Sequence, residues 1–377
     1  MLCLQKIVPV LILFSTVFAA AQEKHEEEFE QFLWDHPETV VVTEENKAFT
    51  SESYPHAKNQ SVFMMARFDN GWVLMMSYFG FKAGIVNNWG IYVSLSDPAG
   101  NGYFTKQKLK TKDINFSEDS FYISDGTNTI EGERDSFRVV MDTDEFSCDL
   151  VYENIIPPWK PGDGYDYYDT KKTAFDKRAI VSPWAEVRGS FSFKDIQLTS
   201  LTGQGFAEKQ LTVNPFTKLN ETTYTMRLFS PPDTPEEERW HLGILENYLH
   251  EDYGGDRQPR LTFAHNDGWI FTTREYDIEP FDYRTHEELP YTYPSKVRVV
   301  CSQDGYNLDG TYIATKLFNY TDIMDELPPF FRSFLLLFID RPVYFRCLGE
   351  FMGIITYPDG STEYLHLVGP YEYIVVK

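Results

Sequence analysis

Short hydrophobic runs separated by turn residues recur along most of the chain. Residues 62–68 and 72–79 are two such runs, joined by an Asp-Asn-Gly turn that tolerates positive backbone φ angles. Residues 89–95 and 103–109 form a second pair around a Pro- and Gly-containing turn. Runs at this spacing, with turn chemistry between them, are typical of an antiparallel barrel or sandwich. The pattern therefore predicts an all-β protein.

The second half of the chain repeats this texture. Residues 260–264 and 269–275 flank a His-Asn-Asp-Gly turn, and a tryptophan follows the turn here as it does in the first half. Between the halves, residues 156–178 are rich in proline, glycine and tyrosine and predict an irregular loop. The shared turn hints at a duplication.

One segment near the end has a helical pattern. Asp322 is placed to cap it, residues 323–339 carry apolar side chains at helical spacing, and a Pro-Pro pair interrupts them. Two closing strands, at 343–357 and 361–376, follow. A late helix before a closing strand is typical of a lipocalin-type barrel.

The first 21 residues are typical of a cleavable signal peptide. Lys6 precedes an apolar run at 7–18, and three alanines then form a small-x-small cleavage site before Gln22. An acidic lead-in at 22–47 follows, and the apolar run is too short to span a membrane. We therefore expect a secreted or periplasmic protein without a transmembrane span.

Charge and cysteine content exclude several classes of function. The formal net charge of −23 is unsuited to nucleic acid or to anionic lipid headgroups. After the signal peptide only Cys148, Cys301 and Cys347 remain, so no disulfide framework or metal motif is predicted; a bridge between the last two and buried free thiols both stay open. No nucleotide-binding, zinc-protease or serine-hydrolase motif occurs, and we predict no cofactor.

Several stretches resemble the tandem-lipocalin superfamily, which includes the yeast survival factor, the AttH-like proteins and the bacterial carotenoid hydratases. The Pro- and Gly-rich residues 155–164 resemble the loop that closes the first barrel. Residues 181–189 and the Gly-Gln-Gly-Phe of 203–206 resemble the entry into the second barrel. Residues 320–330 and 341–345 resemble the survival-factor helix and the strand after it.

The resemblance implies two tandem lipocalin-like antiparallel barrels with one helix near the C-terminus. We place the first barrel at residues 48–190 and the second at 191–377. After Gly205 and Phe206, many hydratase-like members continue with a histidine and a Trp-Gly pair, whereas this chain continues Ala-Glu-Lys-Gln. That departure weakens a transfer of enzymatic chemistry.

The candidate catalytic residue is Glu208, a general acid if burial raises its pKa, or otherwise an exposed turn carboxylate. Residues 240–252 hold two histidines and several carboxylates without fixed metal-ligand spacing, which favours a solvated acidic surface over a zinc site. His366 alternates with leucines on a late strand and is expected to be a satisfied or exposed histidine.

Aromatic side chains on the strands are the candidate ligand-binding residues. Alternate strand residues face a barrel interior, so these side chains form either plain core packing or the lining of an apolar pocket. The candidates are Trp72, Tyr78, Trp89, Tyr92, Trp184, Trp240 and Trp269.

Three functions remain open from the sequence. The preferred one is a non-catalytic carrier for a hydrophobic lipid or isoprenoid, with no identified protein partner. The second is an enzyme of the same fold (a hydratase, cyclase or isomerase) acting on an isoprenoid-like chain. The third is a secreted stress or surface protein. A carboxylate or histidine pointing into a dry site would favour the enzyme.

Overall fold

The chain forms two curled antiparallel sheets. The computed structural model describes residues 40–41, 58–83, 86–117, 120–133, 135–160, 164–169, 171–213, 220–255, 257–266, 270–287, 291–322 and 343–376. Within these ranges the regular structure is strand, apart from single 3₁₀ turns at Thr111–Asp113, Glu236–Glu238 and Glu251–Tyr253. The prediction of an all-β protein is confirmed.

The first sheet has fourteen strands within the described residues. They are β1 (Val40–Val41), β2 (Asn59–Phe68), β3 (Val73–Ala83), β4 (Val86–Ser96), β5 (Gly102–Leu109), β6 (Asn115–Phe116), β7 (Phe121–Ser124), β8 (Thr129–Gly132), β9 (Ser136–Asp142), β10 (Phe146–Asn154), β11 (Trp159–Lys160), β12 (Tyr165–Tyr167), β13 (Phe175–Phe193) and β14 (Ile196–Thr212). The main path runs β5-β4-β3-β2-β14-β13-β10-β9-β8-β7-β6.

Local turn chemistry explains the hairpins of this sheet. Strands β2 and β3 pair in antiparallel register around the Asp-Asn-Gly turn, where Gly71 adopts a φ of 89°. That left-handed conformation has no steric cost for glycine. Strands β3, β4 and β5 continue the meander, as predicted. The irregular loop expected at 156–178 also contains the short strands β11 and β12 and the start of β13.

The second sheet has nine strands among the described residues. They are β15 (Asn220–Phe229), β16 (Trp240–Leu249), β17 (Arg257–His265), β18 (Ile270–Thr273), β19 (Tyr276–Thr285), β20 (Thr292–Gln303), β21 (Tyr306–Asp322), β22 (Val343–Thr356) and β23 (Thr362–Val375). Their order is β18-β17-β16-β15-β23-β22-β21-β20-β19. The last strand pairs with the first, β15, so the closing hairpin lies at the centre of the sheet.

The chain passes from one sheet to the other between Thr212 and Asn220. The predicted domain boundary at residues 190/191 instead falls next to the turn between β13 and β14, which are hydrogen-bonded neighbours in the first sheet. The first sheet extends to Thr212, the last residue of β14.

Some predictions fall outside the described residues. The signal peptide at 1–21 and most of the acidic lead-in at 22–47 lie there. So does the predicted helix at 323–339, and no α-helix occurs among the described residues. Within the described ranges no helix has the length and apolar character needed to cross a membrane. Cys148, Cys301 and Cys347 are buried free thiols, so the alternative of a bridge between the last two is not realised.

Candidate functional site

Strand β14 presents its two faces to different parts of the molecule. Ala207 and Leu211 pack in the core of the first sheet, whereas Phe206 packs in a separate apolar layer against the second sheet. Since strand side chains alternate, Gln204 and Glu208 share the face of Phe206. The outer face of the first sheet is thus the face that meets the second sheet.

The intersheet layer, as we name it, is a buried apolar cluster formed by both sheets. Its members are Met65, Val73, Met75, Ile156, Ile180, Trp184, Phe206, Phe229, Ala264 and Phe318. This apolar surround excludes water and lowers the local dielectric constant, which strengthens every charge interaction next to it.

Glu208 lies beside this layer in a buried ion network. Its carboxylate accepts a hydrogen bond of 2.7 Å from Arg178 and lies 3.5 Å from Arg227. Burial alone would raise the pKa of Glu208, but the charges of Arg178 and Arg227 outweigh it and lower that pKa. The prediction that Glu208 is a general acid is therefore wrong, and so is the alternative that it is an exposed turn carboxylate. Glu208 is a buried, ionised carboxylate.

Arg178 joins a second carboxylate to the network. It donates a hydrogen bond of 2.9 Å to Asp176, which also accepts one of 2.7 Å from Gln210. Burial raises the pKa of Asp176 against the opposing charge of Arg178. The Oδ1 atom of Asp176 is buried and has no hydrogen-bond partner among the described residues.

Arg227 is the least satisfied cation of the group. Its only hydrogen bond within the described chain is the 3.5 Å contact from Nη2 to Glu208, and its buried Nε and Nη1 atoms have no partner there. The guanidinium carbon lies 4.4 Å from the ring centre of Phe206, an attractive cation–π geometry. Burial lowers the pKa of Arg227, more than the carboxylates Glu208 and Glu372 raise it. Arginine remains charged nonetheless, so Arg227 carries unused N–H groups in a dry site.

The network continues on the second sheet through Glu372. Its carboxylate accepts hydrogen bonds from Arg346 at 2.8 Å and from Thr225 at 3.3 Å. Arg346 also donates to Thr321 at 2.7 Å. Arg178, Arg227 and Arg346 thus lie with Asp176, Glu208 and Glu372 between the sheets. A further buried cluster, Asp166 with Arg260 and Arg274, also joins the two sheets, and Asp166 is the register partner of Asp176. A buried ion pair by itself is weak evidence of function, because it can also serve to fix how two sheets pack.

His241 adds a group that ion pairing does not explain. It is 1% exposed, and its Nδ1 lies 3.0 Å from the carbonyl oxygen of Leu228. A carbonyl only accepts, so Nδ1 carries the proton and Nε2 keeps its lone pair. Burial lowers the pKa of His241 to about 3; the Leu228 hydrogen bond opposes this and the charge of Arg227 adds to it. His241 is therefore a neutral imidazole at physiological pH.

Aromatic rings and one amide hold His241 in place. Its ring stacks on Phe229 with centroids 4.9 Å apart and on Trp184 at 6.0 Å. Trp184 donates to Gln204 at 3.0 Å, and Gln204 donates to the carbonyl of Ser230 at 3.1 Å. This chain crosses from the first sheet to the second and fixes the orientation of the histidine.

Gly243 lies next to the ring of His241. Gly243 is the register partner of Arg227 on one side and of Thr262 on the other. A Cβ at Gly243 would lie 3.2 Å from Nε2 of His241 and 3.8 Å from the Cβ of Thr262. The absence of a side chain at Gly243 therefore lets the imidazole of His241 pack close to the backbone of its own strand.

The candidate aromatic residues are distributed differently from the prediction. Trp72, Tyr78 and Trp89 fill the core of the first sheet, and Trp240 fills that of the second, where it stacks on Phe263 at 4.5 Å. Tyr92 is half-buried and packs edge-on against Phe79 at 6.0 Å, and Trp269 lies outside the described residues. Of the candidates that the structure describes, only Trp184 lies in the intersheet layer.

The aromatic cores are closely packed. One small cavity of the second sheet has a volume of about 10 Å³. Its lining residues are Leu261, Phe263, Phe271, Cys301, Tyr306, Asn307, Leu308 and Ile355. That volume is room for about one water molecule and not for a long chain.

The other histidine predictions have mixed outcomes. His366 is exposed and lies 3.1 Å from Glu350, as expected. The acidic stretch at 240–252 is not simply a solvated surface, because His241 and Glu246 are buried, on opposite faces of β16. No group of three or more metal-ligating side chains occurs in the described part of the chain.

Comparison with known proteins places the fold. No protein-family model and no curated protein matches the chain. Among solved structures, an AttH protein from Nitrosomonas europaea is 10% identical with a TM-score of 0.62, over 91% of this chain and 99% of its own. CghA, crystallised with Sch210972, is 10% identical with a TM-score of 0.65, over 92% and 97%. Kievitone hydratase from Nectria haematococca is 11% identical with a TM-score of 0.59, over 94% and 99%.

These structures confirm the resemblance to the tandem-lipocalin superfamily at the level of the fold. They also correct the preferred function, because kievitone hydratase is an enzyme by name. The prediction of a non-catalytic carrier is wrong. Most of the aromatic side chains on which it rested pack in the two cores.

Proposed function

We propose that the protein is a lipocalin-fold enzyme, an isomerase, cyclase or hydratase, that moves a proton on an apolar isoprenoid-like substrate in the intersheet layer. The observation that carries the proposal is His241. Its Nδ1 is engaged with Leu228 and its Nε2 lone pair is available beside a buried cation.

A neutral imidazole with one engaged nitrogen is the usual form of a general base. The bond to Leu228 and the stacking on Phe229 fix the ring. Burial and the charge of Arg227 lower the pKa of His241 to about 3, so the ring is a weak base that must pass on any proton it accepts. Arg227 then lies where it stabilises negative charge that develops on the substrate. Glu208 stays ionised and holds the arginines, rather than donating a proton.

The surroundings suit an apolar substrate. Phe206, Phe229 and Trp184 belong to the apolar layer near the histidine, and the exclusion of water strengthens the field of Arg227. The name of kievitone hydratase and the compound bound to CghA support small-molecule chemistry on this fold.

Deuterium exchange tests the proposal. The purified protein is incubated in D₂O with geranylacetone, farnesol or farnesene (an isoprenoid ketone, alcohol and hydrocarbon), and deuterium uptake is followed by mass spectrometry and NMR. We expect protein-dependent uptake into at least one of them. His241→Gln keeps an N–H for the Leu228 carbonyl but removes the base, and should reduce the rate at least about 100-fold.

The matched control is His366→Gln, which removes an exposed histidine paired with Glu350. This variant should exchange at the wild-type rate. Uptake that is unchanged in a folded His241→Gln protein, or no uptake from any of the three compounds, would contradict the proposal.

A further inference from the structure

The outer face of the first sheet extends beyond the intersheet layer. Along β3, Met75 belongs to that layer, whereas Phe79, on the same face, is half-buried. Along β4, Ser94 is buried and accepts a hydrogen bond of 3.2 Å from Asn319 of the second sheet, whereas Tyr92 is half-buried. The second sheet therefore covers one end of this face and leaves the other end partly exposed.

The aromatic ledge, as we name it, is this partly exposed end on strands β2 to β5. Its members are Phe63, Ser77, Phe79, Phe81, Tyr92, Phe104, Lys106 and Lys108. Backbone register places four of them in one row across the strands, in the order Phe63, Ser77, Tyr92 and Lys106. The ring centres of Phe79 and Tyr92 lie 6.0 Å apart. Aromatic rings thus form a platform that has lysines along its β5 side.

The ledge adjoins the proposed catalytic residues through Phe63. The guanidinium carbon of Arg227 lies 5.8 Å from the ring centre of Phe63. The ring centre of Phe206, in the intersheet layer, lies 6.5 Å from that of Phe63, and Glu208 is the register partner of Phe63. A ligand that lies along this row therefore has its inner end beside Arg227.

Charge sets the ledge apart from the rest of an acidic chain. The protein has 57 Asp and Glu against 34 Lys and Arg, yet the outer face of β2 to β5 holds no carboxylate within these four strands. At the ledge it holds Lys106 and Lys108, both exposed. Salt screens charges that lie farther away than about 8 Å at physiological ionic strength. The nearby lysines therefore make this surface attractive to an anion, although the net charge of the chain is −23.

Protection of the sheet edge does not by itself explain the arrangement. Strand β5 is at one end of the main strand path, and lysines on an edge strand discourage pairing with another chain. That role requires no partly exposed rings on β2, β3 and β4, and it does not exclude carboxylates from the outer face of those strands. Aromatic rings with a few charged groups beside them are instead typical of a surface that binds an apolar ligand.

Burial determines which end of a ligand each part of the row accepts. Lys106 and Lys108 are exposed, so an anionic group that they hold keeps most of its hydration. Beside Arg227, which is 5% exposed, the same group would lose its hydration at a high cost. The apolar part of the ligand therefore lies over the rings and points to Arg227. The row from Lys106 to Glu208 crosses four strand spacings, about 19 Å, which suits a chain of several isoprene units.

We propose that the aromatic ledge binds a substrate that has a long apolar chain and one anionic end, a carboxylate or a phosphate. Lys106 and Lys108 hold the anionic end, and the aromatic side chains of the ledge support the chain, which ends near His241. This inference rests on the proposed function and deepens it, because it names the class of substrate that reaches the base.

Farnesol and farnesyl phosphate test this inference, because they share one chain and differ in the anionic group. Farnesoic acid supplies a carboxylate in place of the phosphate. Affinities are measured by isothermal titration calorimetry, below the concentrations at which the ligands form micelles. Wild-type protein should bind at least one of the two anionic ligands about 10-fold or more tightly than farnesol. The tighter of the two identifies the anionic group.

A charge reversal tests the lysines. Lys106→Glu together with Lys108→Glu should weaken binding of the preferred anionic ligand at least about 10-fold and change binding of farnesol less than about twofold. The matched control is Lys171→Glu together with Lys194→Glu, which changes the net charge equally at exposed lysines of the β12–β13 loop and the β13–β14 turn. This control should bind both kinds of ligand as wild type does.

Removal of one ring tests the platform. Phe79→Ala should weaken binding of farnesol and of the anionic ligands by a similar factor, about 5- to 10-fold, because the ring contacts the shared chain. Phe281→Ala, at a phenylalanine of the second sheet that is 41% exposed, is the control and should bind as wild type. Thermal unfolding of each variant shows that the protein used in the titration is folded.

The possible results separate the two proposals. Equal affinity of wild-type protein for farnesol and both anionic ligands, or an anion preference that survives the reversal of Lys106 and Lys108, overturns the ledge and leaves the enzyme proposal to the deuterium experiment. An anion preference that depends on the two lysines, without any deuterium exchange, supports the ledge and contradicts the enzyme. Analytical ultracentrifugation of the same samples covers a different occupant: a dimer that the double reversal dissociates would assign the ledge to a second copy of the chain and overturn this inference.

Discussion

The two faces of the first sheet differ in what they bury. The inner face buries rings against rings: Tyr78 packs on Trp89 at 5.9 Å, and Tyr152 stacks on Phe137 at 4.7 Å. The outer face buries ionised groups and a histidine beneath the second sheet. Aromatic content is thus explained by core packing, whereas the buried charges call for another explanation. The buried polar residues of the strands, and not the aromatic ones, therefore indicate the site.

Removing Arg178 should produce the largest effect on stability. Arg178→Met leaves the carboxylates of Asp176 and Glu208 buried with less compensation. We expect a loss of about 5 kcal/mol in the free energy of unfolding, the upper end for breaking a buried ion pair. Urea denaturation followed by circular dichroism measures it.

The control for this change is Arg138→Met, at an exposed pair with Asp149 on the same sheet. It should leave the denaturation midpoint nearly unchanged, because water screens exposed pairs. Similar midpoints for the two variants would mean that the intersheet network is not energetically distinct from the surface.

Truncation on the inner face should act through packing. Trp89 is 6% exposed and contacts Tyr78 and Phe116, and it covers Gly80. Trp89→Ala should therefore cost about 3 to 5 kcal/mol of stability. The Trp89→Ala protein that remains folded should bind geranylacetone with the wild-type affinity.

Thermal unfolding and fluorescence titration on the same samples distinguish core from pocket. Tyr364→Ala, at a side chain that is 82% exposed, is the matched aromatic control and should change neither quantity. If Trp89→Ala lost affinity without losing stability, the inner face would be a ligand site after all.

Much of the fold could be predicted from local sequence. The Asp-Asn-Gly turn and the alternation around it predict the β2–β3 hairpin, and the Pro-Asp-Gly turn predicts the closing hairpin of β22 and β23. The length of the β13–β14 hairpin could not be predicted, because its pairing includes register shifts near Ser182 that no short pattern encodes.

The site was largely beyond sequence reasoning. The sequence indicates Glu208, but the arginines that lower its pKa come from β13 and β15, and only the tertiary fold brings them together. The sequence around His241 predicts a solvated acidic surface, which hides this residue. The signal that could have found it is the alternation of Trp240, Leu242 and Ile244, which turns His241 to the opposite face.

Lys209 offers a test of the contrast within a single strand. It follows Glu208 on β14, so alternation turns it towards the inner face, and it is 1% exposed. Burial lowers the pKa of Lys209 to about 7, and the charge of Lys177 adds to this effect. The inner face thus favours the neutral amine, while the outer face keeps Glu208 charged.

The sign of the resulting pH dependence follows from proton counts. An unfolded lysine keeps its proton up to a pKa of about 10.4, so between pH 7 and 10 the unfolded state binds more protons than the folded state. Stability should therefore rise with pH in this window, by at most about 1.4 kcal/mol per pH unit from Lys209.

In Lys209→Met this contribution to the pH dependence of stability should be absent, whereas Lys108→Met, at an exposed lysine of β5, should keep the wild-type slope. Urea midpoints at pH 7.0, 8.0 and 9.0 measure the slopes. Parallel slopes for wild type and Lys209→Met would show that the inner face tolerates the ammonium, and the electrostatic contrast between the two faces would fail.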